Sequence, residues 1–204
     1  MSRGLFADGM SKKIEKGQAT RERLIATAAR LFAEKGYEAT SIEDLLRELG
    51  MSRGALYHHF DSKEAVFEAV LHQIEAEVAQ ATVDASRGAR DPAAALRAGC
   101  EAFLELARTP RIRQIALTDA PAALGWKKWR EIEAQHGLGL LKAALGRAAD
   151  AGRLRPDQVD VFAQVLLAGL IEIALMIARS ENSKAAMHQG RKALAKLIDA
   201  LVAG

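Results

Sequence analysis

Residues 40–63 read TSIEDLLRELGMSRGALYHHFDSK. Thr40 or Ser41 can cap a helix, because a hydroxyl oxygen accepts from a free N–H of the first turn. Thr40 with Glu43 fits the spacing of a capping box. Ile42, Leu45, Leu46 and Leu49 recur at helical spacing and define one apolar face. Gly50 follows at once, and glycine suits the left-handed residue that ends a helix and turns the chain. Met51 can pack back on the first helix. Ser52 then opens a second helix, expected to run to about Phe60, with Leu56 and Phe60 four apart on its inner side. Arg53, Gly54, Tyr57 and His58 point elsewhere.

A helical hairpin in a bundle core has the same outline. The second helix is too short to be stable alone, however. Its outer face is aromatic, basic and hydroxylic, the side-chain set that meets phosphates and base edges. Helix, short glycine turn, helix is the helix-turn-helix pattern, whose second helix enters a major groove.

The stretch from about Thr20 to Leu71 resembles the DNA-binding domain of the TetR family of bacterial transcriptional regulators. The matching residues are Leu31-Phe32, Gly36-Tyr37, Thr40-Ser41-Ile42, Leu49-Gly50, Ser52-Arg53-Gly54, Leu56-Tyr57, His59-Phe60 and Ser62-Lys63. The resemblance implies three N-terminal helices for DNA and a larger helical domain for dimerisation and ligand binding. It also implies roles. Ser52, Arg53, Gly54 and Ala55 would meet base edges, with Arg53 bidentate to guanine. Tyr57, His59 and Lys63 match positions that contact phosphate. Thr40 and Ser41 would do so from the start of the preceding helix, where free N–H groups favour an anion. Leu56 and Phe60 match core positions. His58 sits where the family varies and is expected either at DNA or in solvent. His58, His59 and Asp61 do not make a metal site, because adjacent helical residues do not share a face. No metal ligand and no cofactor is expected.

Composition agrees with a globular protein: half of the 204 residues are hydrophobic and 27% are charged. Prolines stand only at 92, 110, 121 and 156, and strand-like alternation is absent. The expected fold is therefore all-α, with about nine helices. The net charge of +3 is weak evidence for nucleic acid. Through His72 the chain carries 11 basic and 11 acidic residues, leaving 18 against 15 beyond. Any basic face must come from placement. Lys12, Lys13, Lys16, Arg21 and Arg23 form an N-terminal cluster that reads as a phosphate-binding arm or as a solvated tail.

Cys100 is the single cysteine, which excludes an intrachain disulfide and suits a reducing compartment. MSRGLFADGM has no apolar signal core. Residues 161–178 approach the length of a membrane helix. Gln164 and Glu172 interrupt them, so burial in protein is the expectation. A cytoplasmic protein with no membrane partner follows.

The expected organisation is a flexible arm over 1–17, a helix-turn-helix domain over 18–64, and an effector-binding and dimerisation domain over 65–204. Within it, helices are expected at 18–35, from Asp61 or Ser62 to about Ala85, and from Pro92 to about Arg108. A short helix from Pro110 to Leu117 should break at 118–125. A long one from Trp126 to Ala151 is open to interruption near Gly137. The last two helices are expected to form the homodimer surface through Val165, Leu166, Gly169, Leu170, Ile173, Leu194, Leu197, Ile198 and Leu201. A small, mostly apolar effector of unknown identity is expected among Cys100, Phe103, Leu106, Ile115, Leu117, Trp126, Trp129, His136, Leu140, Phe162 and Met176.

No nucleophile elbow, phosphate loop or metal-ligand spacing argues for an enzyme. The expected function is a sequence-specific regulator: a repressor that binds palindromic double-stranded operator DNA as a homodimer and leaves it when the ligand binds. The alternative is an adaptor of the same fold that docks on protein and has lost DNA reading.

Overall fold

The computed structural model describes residues 3–202, with side chains from Glu15 onward. Among the described residues there are nine helices and no strand: α1 Arg3–Lys35, α2 Ile42–Leu49, α3 Arg53–Tyr57, α4 Lys63–Ser86, α5 Pro92–Leu106, α6 over 110–124, α7 over 126–150, α8 Val159–Arg179 and α9 Ser183–Val202. The chain divides into two compact units between Val70 and Leu71. Helix α1 begins at Arg3, well before Gln18, so the segment expected as an arm is largely helical. The side chains of Lys12 and Lys13 lie outside the described residues.

In the first unit, α1 lays Leu24, Ala28, Leu31 and Phe32 against Leu45 and Leu49 of α2 and Leu56 of α3, all buried. Phe32, Tyr37 and Phe67 close the core as an aromatic trio. Ring centroids lie 5.1 Å apart for Phe32–Phe67 and 4.8 Å for Tyr37–Phe67, both edge-on, a favoured arrangement for such pairs. Helix α2 is capped by Ser41, not Thr40. The Ser41 hydroxyl accepts from the Asp44 N–H at 3.1 Å, and the Asp44 carboxylate accepts from the Ser41 N–H at 3.1 Å. These bonds, with the backbone contribution first, hold the Asp44 pKa down at about 2. Gly50 ends the helix at φ 61°, and the next N–H, of Met51, returns to the Leu46 carbonyl at 3.1 Å. Ser62, not Asp61, caps α4, accepting from the Ala65 N–H at 3.0 Å.

In the second unit two helices are locally widened. Residues Arg113–Asp119 of α6 and Ala134–Leu138 of α7 are π-helical. The Thr118 hydroxyl donates to the Arg113 carbonyl, five residues back, at 2.9 Å. The widened turn carries the helix through Pro121, whose missing N–H costs less at the start of the regular segment that follows. The break expected at 118–125 is therefore confined to Gly125, at φ 78°. The interruption weighed near Gly137 is likewise a widening, not a break.

Helix α8 is long and apolar enough to cross a membrane by length and composition. Its Ala163, Leu166, Leu170, Ala174 and Ile177 are buried within the second unit. Helix α9 packs closely on it at Gly190, where a Cβ would come within 2.7 Å of Ile173 Cγ2.

Gly50→Ala places an L side chain in a left-handed conformation. It should destabilise the first unit by about 1–2 kcal/mol, read as a lowered urea midpoint with an unchanged m-value.

Candidate nucleic-acid interface and interior cavity

Helix α3 has only five residues, and its faces differ completely. Leu56 is wholly buried, whereas Ser52, Arg53, Gly54, Ala55, Tyr57 and His58 are exposed and His59 is half-buried. Ser52 caps the helix by accepting from the Ala55 N–H at 3.3 Å. The helix ends at Tyr57 rather than Phe60; the chain turns on through His58, His59 and Phe60, whose N–H groups bond to the Gly54 and Leu56 carbonyls. A Cβ at Gly54 would meet nothing within 4 Å, so that side of α3 is open.

Two residues expected at phosphate are engaged elsewhere. Thr40 is fully buried, and its hydroxyl donates to the Gly36 carbonyl at 2.8 Å. It closes the α1–α2 turn, so its side chain is not offered to DNA. The Lys63 ammonium donates to the Tyr37 and Thr40 carbonyls at 2.8 and 2.9 Å and lies 4.0 Å from the Tyr37 ring centre. Its first task is to hold that turn. Ser41 is half-buried and shares its hydroxyl with Asp44 at 2.9 Å.

Other cations of this unit are similarly placed. Arg23 donates to the Leu49 carbonyl at 2.8 Å, Arg21 lies over Phe60, and Lys35 pairs with Asp44 at 3.7 Å. Arg53 is paired with Glu43 of α2, both side chains being more than half exposed. An exposed pair of this kind is worth little and opens readily.

The second unit contains a cavity of about 530 Å³, in the size range of small-molecule sites. Cys100, Phe103, His136 and Leu140 line it, as the sequence suggested. Leu106, Ile115, Leu117, Trp126, Trp129, Phe162 and Met176 do not. Ile115, Leu117 and Trp129 are buried core, Trp126 is 60% exposed and stacked edge-on with Trp129, and Met176 is 42% exposed on α8. Of the residues expected at a dimer surface, Leu166, Leu170, Leu194 and Ile198 are buried inside this chain, with Leu166 and Ile198 at 0% exposure. Gly169, Ile173, Leu197 and Leu201 are half-buried and Val165 is exposed.

The cavity also has a wall the sequence reading missed. Val78 and Thr82 of α4, Leu96 and Gly99 of α5, and Leu167 and Ile171 of α8 contribute to it, together with two acids, Glu75 and Glu133. Glu75 is 9% exposed and Glu133 5%. Burial pushes the Glu75 carboxyl up to about 7. Burial and then the charge of Glu75 push Glu133 up to about 8, against a partial opposing pull from Arg130, whose Nη1 donates to it at 3.0 Å. The rings of His72 and His136 share a hydrogen bond of 3.1 Å; burial and the neighbouring His72 lower the His136 pKa. Burial, then Glu101, raises the Cys100 thiol to about 12, which leaves it a small inert wall residue. The signal for the acids was present: Glu75 shares a stripe with Leu71, Ile74 and Val78, and Glu133 shares one with Trp129 and His136.

Lys63→Ala removes a charged donor from two carbonyls and should cost about 1.5–3 kcal/mol, read as a loss in melting temperature without DNA. Glu75 binds its proton more tightly folded than unfolded. Its contribution to stability is thus fully present below the unfolded value of 4.5 and is lost as pH rises through about 7. His136, with its lowered value, acts in the opposite sense, so the clean readout is a difference. The stability of Glu75→Gln relative to the parent should rise by about 3 kcal/mol between about pH 4.5 and 8, measured by urea unfolding.

Residues 24–70 match the family described as bacterial regulatory proteins of the tetR family, and residues 93–201 match the tetracyclin repressor-like C-terminal domain. The chain is 33% identical over 156 residues to the HTH-type transcriptional repressor AcnR of Corynebacterium diphtheriae, covering 74% of this chain and 78% of the relative. It is 26% identical over 165 residues to the transposon Tn10 TetC protein of Escherichia coli, covering 79% and 81%. A crystal structure of a TetR-family transcriptional regulator from Pectobacterium atrosepticum superposes with a TM-score of 0.82 at 33% identity, over 93% of this chain and 97% of that one. With both halves of the chain matched and a short exposed helix, α3, in the first, the protein belongs to the TetR family and is a DNA-binding transcriptional regulator.

Proposed function

We propose that the protein is a homodimeric repressor that binds a palindromic operator in the bacterial cytoplasm and is released from it by a small molecule held in the second unit. The observation that carries the DNA reading is the polarity of α3: Leu56 is sealed in the core while Ser52, Arg53, Gly54, Ala55, Tyr57 and His58 face outward. Arg53 meets a base edge after leaving Glu43, Gly54 lets the backbone approach, and Tyr57 and His59 reach phosphates. Ser41, at the start of α2, reaches a phosphate only on giving up its hydroxyl bond to Asp44. Thr40 and Lys63 act by fixing the turn that aims these groups.

The dimer reading rests on α8. Val161, Val165 and Met176 remain 61%, 48% and 42% exposed along one stripe of a helix whose other face is core. Exposed apolar side chains in a row mark a protein interface, and a two-fold pair of reading helices doubles the contacts on palindromic DNA. The effector reading rests on the mostly apolar cavity. The repressor homologue AcnR supports the sign of regulation. An adaptor that docks on protein instead of DNA is the competing reading, favoured only by the neutral charge balance of the first unit.

Fluorescence anisotropy on the intergenic DNA beside the protein's own gene tests the whole scheme. Salt-sensitive, sequence-selective binding is expected, and its absence from every neighbouring site would sink the regulator reading and leave the adaptor. Arg53→Ala should lose about 1–3 kcal/mol at one operator base pair and relax specificity there. Val165→Glu should sediment as a folded monomer with much weakened operator affinity; a dimer of normal affinity would remove α8 from the interface.

A further inference from the structure

The two acids in the cavity carry information about what it holds. Glu75 is 9% exposed, lies on the cavity wall, and accepts no hydrogen bond from any described residue. Glu133 has one partner, the Arg130 guanidinium at 3.0 Å. A buried carboxyl with no partner is costly, and it stands among apolar neighbours such as Val78, Leu141, Leu167 and Ile171. The charged residues of the opposite sign on the wall, Arg87 and Arg147, are exposed, and Arg87 is paired with Asp84 at 2.7 Å. His136, with His72 against it, is held toward its neutral form. Glu101 adds negative charge near Cys100. The enclosed part of the wall is therefore acidic, and its unmet requirement is a cation.

We propose that the cavity takes a lipophilic monocation, an apolar skeleton bearing one protonated amine, with the Glu75 carboxylate as counter-ion and Glu133 beside it. A neutral hydrocarbon would leave Glu75 as it is, without a partner among the described residues. A carboxylate would add a third acid. A protonated amine supplies up to three N–H donors and the missing charge, while its skeleton covers the aliphatic wall. Binding the cation favours the ionised form of Glu75, so part of the acid's proton leaves to solvent as the amine enters. As a statement about the effector this rests on the reading of the cavity given above; as a statement about binding it stands alone.

Three probes that share one skeleton separate the possibilities: 4-phenylbutylamine, 4-phenylbutan-1-ol and 5-phenylpentanoate. Calorimetry on the full chain near neutral pH should show the amine binding about tenfold or more tightly than the alcohol, and the carboxylate most weakly. In the parent protein the amine's affinity should rise from about pH 6 to 8 as Glu75 ionises, and the alcohol's should not. In Glu75→Gln the preference for the amine should disappear while the alcohol binds as before, which also shows that the variant is folded. Equal binding of amine and alcohol, tighter binding of the carboxylate, no binding of the amine, or an amine preference that survives Glu75→Gln overturns the proposal. Operator release in the anisotropy assay distinguishes the two readings. An amine that binds by these criteria but leaves DNA bound contradicts the effector role alone. Release by the alcohol but not the amine contradicts the counter-ion alone.

Discussion

A helix of five residues cannot hold itself together in water, because the cost of its first turn is recovered only over several more. Helix α3 is such a helix, and the first unit is arranged to supply what it lacks. Ser52 caps its start, and Gly50 turns the chain at the one angle that brings α3 across α2. Leu56 and Phe60 fasten it to the core, and Lys63, with its two carbonyls, fixes the turn beneath. Three of the cations expected at DNA, Arg21, Arg23 and Lys63, are internal fasteners. Arg23 ties off the C-terminus of α2, and Arg21 covers Phe60.

The second unit solves a different problem, that of keeping space open inside a helical bundle. The widened turn of α7 brings His136 and Gly137 to the cavity wall, and α5 approaches α4 at Gly99, where a Cβ would lie 2.7 Å from Ser86 Oγ. Widened turns of this sort gather at functional sites. The buried acids are the cost of that space: they raise the free energy of the empty protein above neutral pH, and a matching ligand would lower it.

The helix count, the turn and the inward residues of the first unit were legible because they follow local rules of spacing and capping. What was not legible depended on groups far apart in sequence or on departures from ideal geometry. Thr40 has the chemistry of a phosphate ligand, and only the fold shows that the Gly36 carbonyl claims its hydroxyl. The cavity wall was half missed for a more general reason. A helical wheel turned at a constant angle assumes regular helix, and each π-helical stretch shifts the faces that follow it. Ile115 and Leu117 lie within the first such stretch and turn into the core, whereas Trp126 and Trp129 open a new helix after Gly125, and Trp129 packs into the core there. Glu75 and Glu133 sat in plain view on apolar stripes, but an acid is ordinarily read as a surface residue.

The Arg53–Glu43 pair has a consequence for selectivity. On the proposed reading, Arg53 comes to DNA already paired with Glu43, so reaching a base means exchanging a carboxylate for the neutral acceptors of a base edge rather than only shedding water. A lone phosphate is a poor substitute for a nearby carboxylate, whereas the two acceptors of a guanine edge match the fork of the guanidinium. Glu43 then behaves as a competitor tethered to the reading head. The pair is weak and opens readily, so its effect on affinity is small, but its release makes the ionic-strength dependence of binding shallower than a count of basic residues would suggest.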